Sequence, residues 1–247
     1  MLSNRMVAAG HVLFRWRSYL LLAFVPLFLW AVWDGESIEN HWGDAAGEVV
    51  ETLAVLVLVL GEAIRIFTVG FVPRGTSGRN TDKGQIAERL NTTGLYSLTR
   101  NPLYLGNCLM YAGLALYTQH LWVVTVLVLV LALYYERIIA AEEDFLTRKF
   151  GDTYRDWAAR TPTFWPRLSG FVRPDMPFSV RTVLRREHAS ILGGFAALYL
   201  LELGLHTLPS ATDGIEPWWH WAIGIAVLLE LVLQVLKRRG WLAVDGR

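Results

Sequence analysis

Six apolar runs, most of them near the roughly 20 residues that cross a bilayer as a helix, limit what this chain can fold into. They extend from Ser18 to Trp33, Val49 to Val69, Leu103 to Tyr117, Leu121 to Tyr135, Ala189 to Leu208 and Pro217 to Leu236. Only 18% of the 247 residues are charged and 53% are hydrophobic, whereas a water-soluble domain carries about 25% charge. The expected fold is therefore all-α: a polytopic transmembrane helical bundle of about six spans. The connections between the runs supply an independent test, because 22 of the 23 Lys and Arg residues fall in alternate connections and at the ends. Residues 34–48, 118–120 and 209–216 contain no Lys or Arg and carry Asp34, Glu36, Glu39, Asp44, Glu48, Asp213 and Glu216. The positive-inside rule then predicts that both termini are cytoplasmic.

Basic residues ahead of the first apolar run resemble a secretory signal, but no small-residue cleavage site follows Trp33, and losing that run would invert the charge pattern downstream. The expectation is an integral, multi-pass protein of bacterial inner-membrane or endoplasmic-reticulum type. A net charge of +1 provides no field to gather nucleic acid. The single cysteine, Cys108, lies inside an apolar run and reads as a small buried hydrophobe. His41, His120 and His220 have no ligand spacing, so no metal site is expected. Near residue 173 the chain changes character. Residues 1–172 read as a functional core with its site at the cytoplasmic face, and 173–247 as an accessory helical hairpin with a basic tail.

Polar residues in unusual places mark three stretches. Residues 70–81, Gly-Phe-Val-Pro-Arg-Gly-Thr-Ser-Gly-Arg-Asn-Thr, read as a loop in which Arg74 and Arg79 suit a carboxylate or phosphate. The alternative is positive-inside charge touching anionic lipid heads. Residues 94–106 read Gly-Leu-Tyr-Ser-Leu-Thr-Arg-Asn-Pro-Leu-Tyr-Leu-Gly, with Pro102 suited to the first turn of a helix. Arg100 and Asn101 would then stand where that helix starts, Tyr104 would offer an aromatic wall, and Gly106 would let a ligand approach the backbone. Alone, Arg100 and Tyr104 fit equally well as headgroup anchors. The fourth run continues as a helix to Glu142 and Glu143, which reach the level of Arg100 because a short outer connection makes the third and fourth runs an antiparallel pair. Solvated charge is the alternative for these two carboxylates.

This pattern resembles the membrane-embedded methyltransferases that include isoprenylcysteine carboxyl methyltransferase and the phospholipid N-methyltransferases. The residues that carry the resemblance are Gly94, Tyr96 and Arg100-Asn101-Pro102-Leu103-Tyr104-Leu105-Gly106. They are followed by Glu142-Glu143, Leu146, Phe150-Gly151, Tyr154, Trp157, Pro162 and Pro166, and the resemblance covers roughly residues 50 to 170. It implies S-adenosylmethionine held at the cytoplasmic face by Gly94, Tyr96, Arg100, Asn101, Pro102, Tyr104, Gly106, Glu142 and Glu143, with Arg100, Asn101 and Tyr104 closest to the chemistry. A lipid-like amphiphilic acceptor would enter sideways from the bilayer. The family often has His where this sequence has Asn101, and an amide does not titrate near neutrality.

Glu62 and Arg65, spaced i, i+3 in the second run, read as a pair that shapes the acceptor side together with Arg74 and Arg79. Glu202, His206 and Glu230 read as satisfied packing groups. The arginine loop favours an anionic oxygen as acceptor, a lipid phosphate or a prenylated carboxylate, over a phospholipid amine. Two rivals remain from the sequence. Membrane sterol reductases use NADPH and have a similar Arg-x-Pro-x-Tyr-x-Gly stretch, but typically with Asn before the Tyr and an acid after the Gly, where this chain has Leu103 and Asn107. A non-catalytic lipid-binding scaffold would not require Glu142 and Glu143.

Overall fold

The structure, a computed structural model, describes residues 2–73, 75–76, 79–81, 84–208 and 214–247, with backbone alone described at 2–4, 17–18, 20–21, 79–81 and 84–86. Helix α1 (Leu2–Leu20) passes through a 3₁₀ turn into α2 (Val25–Asp34), and the short α3 (Ser37–Trp42) leads to α4 (Asp44–Phe71). Strands β1 (Arg79–Thr81) and β2 (Gly84–Ile86) form a small antiparallel hairpin. Helices α5 (Pro102–Tyr117), α6 (Leu121–Phe150), α7 (Asp152–Arg160), α8 (Val180–Thr207) and α9 (Pro217–Arg238) complete the bundle.

Among the described residues, four helices, α4, α6, α8 and α9, are long and apolar enough to cross a membrane. The other two apolar runs depart from the sequence expectation. The run from Ser18 to Trp33 is broken, because a 3₁₀ turn occupies Leu21–Phe24 and Pro26 starts α2 without the N–H a continuous helix would need. Helix α5, at 16 residues, rises about 24 Å, less than the roughly 30 Å of a hydrocarbon core. Large apolar side chains on the outside of α4 and α9, such as Leu56 and Leu228, are more than half exposed. In water so many would be an aggregation hazard, whereas against lipid they are solvated.

Apolar packing between helices gains little where the surroundings are lipid, so close backbone approach has to supply the contact. Helices α4 and α5 achieve it with small residues spaced seven apart. A Cβ on Gly61 would lie 2.5 Å from the Gly106 carbonyl oxygen, and one on Gly113 would lie 2.7 Å from that of Ala54. The antiparallel match of Ala54 with Gly113 and Gly61 with Gly106 makes a continuous seam. Gly106 therefore faces a neighbouring helix, which corrects the expectation that it opens the backbone to a ligand.

The basic end of the bundle is laced by backbone bonds. Arg100 N–H donates to the Pro162 carbonyl (2.9 Å), Arg167 N–H to that of Leu98 (3.0 Å), and Gly94 N–H to that of Val172 (2.8 Å). Gly94 has φ of +61°, which a residue with Cβ adopts only with strain. Helix α8 is capped by Ser179, whose hydroxyl accepts from Thr182 N–H, and Ser179 N–H in turn donates to Gly70 at the end of α4. The Arg247 guanidinium donates to the same Gly70 carbonyl at 2.6 Å. A helix-terminal acceptor that would otherwise lack a partner is thereby satisfied twice.

The seam predicts that Gly61→Leu lowers the melting midpoint in mild detergent by roughly 5 °C, since overpacking costs about 1–3 kcal/mol. Gly193→Ala should not lower it, because none of the described residues lies within 4 Å of a Cβ there and Ala is the better helix former. Equal midpoints for Gly61→Leu and the unsubstituted protein would contradict the seam.

Candidate active site

A cavity of about 660 Å³ opens at the basic end, where α4 and α9 finish, α5 and α8 begin and α6 runs on past its apolar stretch. That volume is suited to a small organic ligand. Its walls come from distant parts of the chain, from Phe14 on α1 to Lys237 on α9.

One wall is built from the two motifs singled out in the sequence. Arg100 Nη1 lies 3.0 Å from Glu143 Oε1, joining the start of α5 to the extension of α6. Arg100 also donates to the Thr163 hydroxyl, and Asn101 Nδ2 donates to the Thr163 carbonyl at 2.9 Å. Asn101 is thus held as a donor to the 162–167 strap, a role that an amide performs without titrating. Tyr154 and Trp157, one helical turn apart on α7, fill the space below and pack with Tyr96. Burial first, then the neighbouring Glu143 charge, raises the Tyr154 phenol above its ordinary range, so this hydroxyl stays a protonated donor beside the ion pair.

Three buried polar atoms on this wall, Arg100 Nε, Glu143 Oε1 and Trp157 Nε1, have no hydrogen-bond partner. Glu143 Oε1 is therefore in ion-pair range of Arg100 without a well-aligned hydrogen bond. Each such atom costs about 1–3 kcal/mol unless something bonds to it. Among the described residues these two donors and one acceptor are sealed within the wall, on side chains that line the cavity.

The opposite wall is a relay between helices. Arg65 on α4 donates to one carboxylate oxygen of Glu187 on α8, at 2.9 Å from Nε and 2.6 Å from Nη2. Its Nη1 donates to Asn107 Oδ1, and Asn107 Nδ2 donates to the Tyr135 hydroxyl at 3.1 Å. The Tyr135 ring lies 4.8 Å from that of Tyr104. Arg65 stretches along Gly106, where a Cβ would sit 2.7 Å from its Cγ, so the seam and the relay depend on each other.

Of the residues expected from the sequence, Tyr96, Arg100, Asn101, Tyr104, Glu142, Glu143 and Arg65 line the cavity. Gly94, Pro102 and Gly106 do not; they shape a turn, start α5 and form the seam. Glu62 also stays off the cavity, accepting from the Ser190 hydroxyl at 2.9 Å and standing 3.9 Å from Arg65, whose main partner is Glu187. Arg74 lies outside the described residues, and of Arg79 only the backbone, in β1, is described. Glu202 accepts from the Tyr117 hydroxyl at 2.6 Å and Glu230 pairs with His188 at 2.8 Å, as expected of packing groups. Arg185, Arg186, Glu187 and Lys237 line the cavity without any sequence motif having marked them.

At the other end, Glu36, Glu39 and Glu51 bring carboxylate oxygens within 4.8 Å of one another, a cluster that the histidine spacing gave no hint of. Burial, then the charge of Glu39, raises the Glu36 carboxyl above its ordinary value. Protonation thus relieves part of the repulsion, and Gln119 ties the cluster down by donating to Glu51 and accepting from Glu39 N–H.

The segment that contains most of α4 and all of α5 and α6 has known relatives. Residues 51–153 match the phospholipid methyltransferase family. The match spans Arg100 to Gly106 and Glu142-Glu143, two of the stretches that carried the resemblance in the sequence. The chain is also 32% identical over 157 residues to the nickel-cobalt-cadmium resistance protein NccN of Alcaligenes xylosoxydans xylosoxydans, covering 63% of this chain and 65% of that one. It is 34% identical over 155 residues to the cobalt-zinc-cadmium resistance protein CzcN of Cupriavidus metallidurans, covering 62% and 63%. The chain thus spans a little under two thirds of the length of these relatives, whose names concern metal resistance and specify no methyl acceptor. No solved structure matches the chain.

The relay predicts a specific coupling. Arg65→Leu should destabilise the protein by about 3–5 kcal/mol, because Glu187 is only 3% exposed and would be left as a buried charge. Arg65→Leu with Glu187→Leu should recover most of that loss in detergent unfolding. Additive single losses would show that the two groups do not interact.

Proposed function

We propose that this protein is an S-adenosylmethionine-dependent methyltransferase acting on a membrane amphiphile, with its site facing the cytoplasm. The observation that carries the reading is the cavity wall that brings Arg100 to 3.0 Å from Glu143, with Glu142 and Trp157 also lining it. A methionine end with an ammonium and a carboxylate requires carboxylates on one side and donors on the other. Glu142 and Glu143 would take the ammonium, the Arg100 guanidinium the carboxylate, and the Tyr104, Tyr134 and Tyr135 rings would flank the adenosine. When bound, the cofactor supplies an electrophilic methyl group on a sulfonium.

The contribution of the chain is positioning and exclusion of water. Arg100 and Glu143 hold one another at 3.0 Å, so the site needs little rearrangement to receive a zwitterion. Asn101, fixed as a donor to Thr163, leaves no titrating base at that position, which suits an acceptor that arrives already ionised. An anionic oxygen, of a lipid phosphate or a prenylated carboxylate, fits this better than an amine that must lose a proton. A phospholipid amine is the second reading, supported by the family whose segment matches. A sterol-type reductase and a scaffold fit less well, because neither requires paired carboxylates beside a guanidinium.

Membranes containing the protein, incubated with cofactor labelled in its methyl group, should yield labelled material in the organic phase. Mild alkali would release volatile methanol from a carboxyl ester, whereas an N-methyl amine keeps its label. Label confined to an amine would overturn the anionic acceptor, and no transfer to any lipid extract would overturn the reading. Orientation is testable separately in a Cys108→Ala background. A cysteine replacing the exposed Ser37 should react with an impermeant reagent outside intact cells, and one replacing the exposed Ser169 should not. The opposite labelling would put the cavity on the outer face.

A further inference from the structure

The strap that follows α7 continues to Arg173 and turns its apolar side chains outward. Trp165, Leu168, Phe171 and Val172 are 51 to 79% exposed, although the backbone that bears them is tied down. Besides its bonds to Leu98 and Gly94, Val172 N–H donates to the Ser97 hydroxyl at 2.8 Å and the Thr99 hydroxyl donates to the Phe164 carbonyl at 2.9 Å. Four large apolar side chains displayed on a fixed backbone mark an interaction surface, because in water they would be an aggregation hazard. We infer that residues 162–173 dock on the bilayer, with these side chains at the boundary between headgroups and acyl chains, and that the lipids they meet are anionic. The inference requires only that the bundle crosses a membrane and is independent of the methyltransferase reading.

The path of the chain puts the strap at that depth. Helix α6, at 30 residues, rises about 45 Å and so outruns a hydrocarbon core of roughly 30 Å. The chain then turns back. Bonds to Leu98 and Arg100 set the strap against the turn that opens α5, where that helix meets the headgroups.

Beyond Val172 the chain leads to the lipid-facing side of the bundle. The Phe178 ring lies 6.0 Å from that of Phe67 and 5.2 Å from that of Phe71, on the last turns of α4. Phe67 follows Leu56 by three helical turns, and both are more than half exposed on one face of α4. The strap is thus continuous along the chain with a surface that lipid already covers.

Charge identifies the occupant. Residues 160–173 contain Arg160, Arg167 and Arg173, all exposed, and no carboxylate. Trp and Arg side by side suit a membrane boundary, where the indole sits at headgroup level and the guanidinium meets anionic lipid. Two such straps facing each other in a pair of copies would oppose like charges instead. Docking would also steady the cavity wall, since Thr163 in the same strap accepts from Arg100 and Asn101.

The full-length protein carrying Cys108→Ala and Ser169→Cys can be labelled with an NBD fluorophore at 169, an exposed position in the strap, and placed one copy per nanodisc. The lipid is an equal mixture of phosphatidylcholine and phosphatidylglycerol. A spin label near the lipid headgroup should quench the dye more than one near the chain end, and aqueous iodide should quench it at least about twofold less than the free dye. At equal content, spin-labelled phosphatidylglycerol should quench at least about twofold more than spin-labelled phosphatidylcholine, and Arg167→Gln with Arg173→Gln should shrink that difference. Trp165→Ser with Leu168→Ser should raise the iodide quenching. Monodisperse elution of each variant checks folding independently. Iodide quenching equal to that of the free dye would put the strap in water and overturn the docking. Protection from iodide and lipid alike would mean that protein covers the strap, and stronger quenching from the chain end would bury it too deeply; either overturns the docking. Equal quenching by the two lipids would overturn the anionic preference.

Discussion

The close approach of α4 and α5 is the constraint on which the site depends. Ala54 and Gly61 on one helix meet Gly113 and Gly106 on the other with no room for side chains between them. In a lipid setting this contact, rather than exclusion of water, has to hold the pair together. It also fixes function-bearing groups, because Arg65 lies one turn beyond Gly61 and stretches along Gly106 toward Asn107 and Glu187. The register of one seam therefore sets both the start of α5, with Arg100 and Asn101, and the place where α8 joins the cavity.

The cavity is assembled from two sources with different origins. One wall, with Arg100, Glu142, Glu143, Tyr154 and Trp157, comes from the motif region and α7. The basic wall comes from a hairpin outside residues 51–153.

The fold class was legible because apolar length and basic-residue asymmetry are properties of local sequence. The meeting of Arg100 with Glu143 was legible too, since a short connection between α5 and α6 leaves them little choice but to pair. The break inside the first apolar run was not legible from hydropathy, which does not register a 3₁₀ turn, although Pro26 marks the start of α2. Gly106 was assigned to a ligand when it serves the seam; its seven-residue spacing to Gly113, matched by Ala54 and Gly61, was the available signal. The contact of Arg65 with Glu187 joins residues 122 apart in sequence, and no pattern within either helix announces it. For the same reason Arg185, Arg186 and Lys237 read as ordinary positive-inside charge until the bundle was closed.

The central claim is that the cavity beside Glu143 is a methyl-donor site, and calorimetric titration of the purified protein with S-adenosylmethionine and, in parallel, with NADPH tests it most directly. The account predicts saturable binding of S-adenosylmethionine at one site per chain, weakened by about tenfold or more in Glu143→Gln through loss of a charged partner, with no heat from NADPH. Binding of NADPH in place of S-adenosylmethionine, or S-adenosylmethionine affinity indifferent to Glu143, would contradict it.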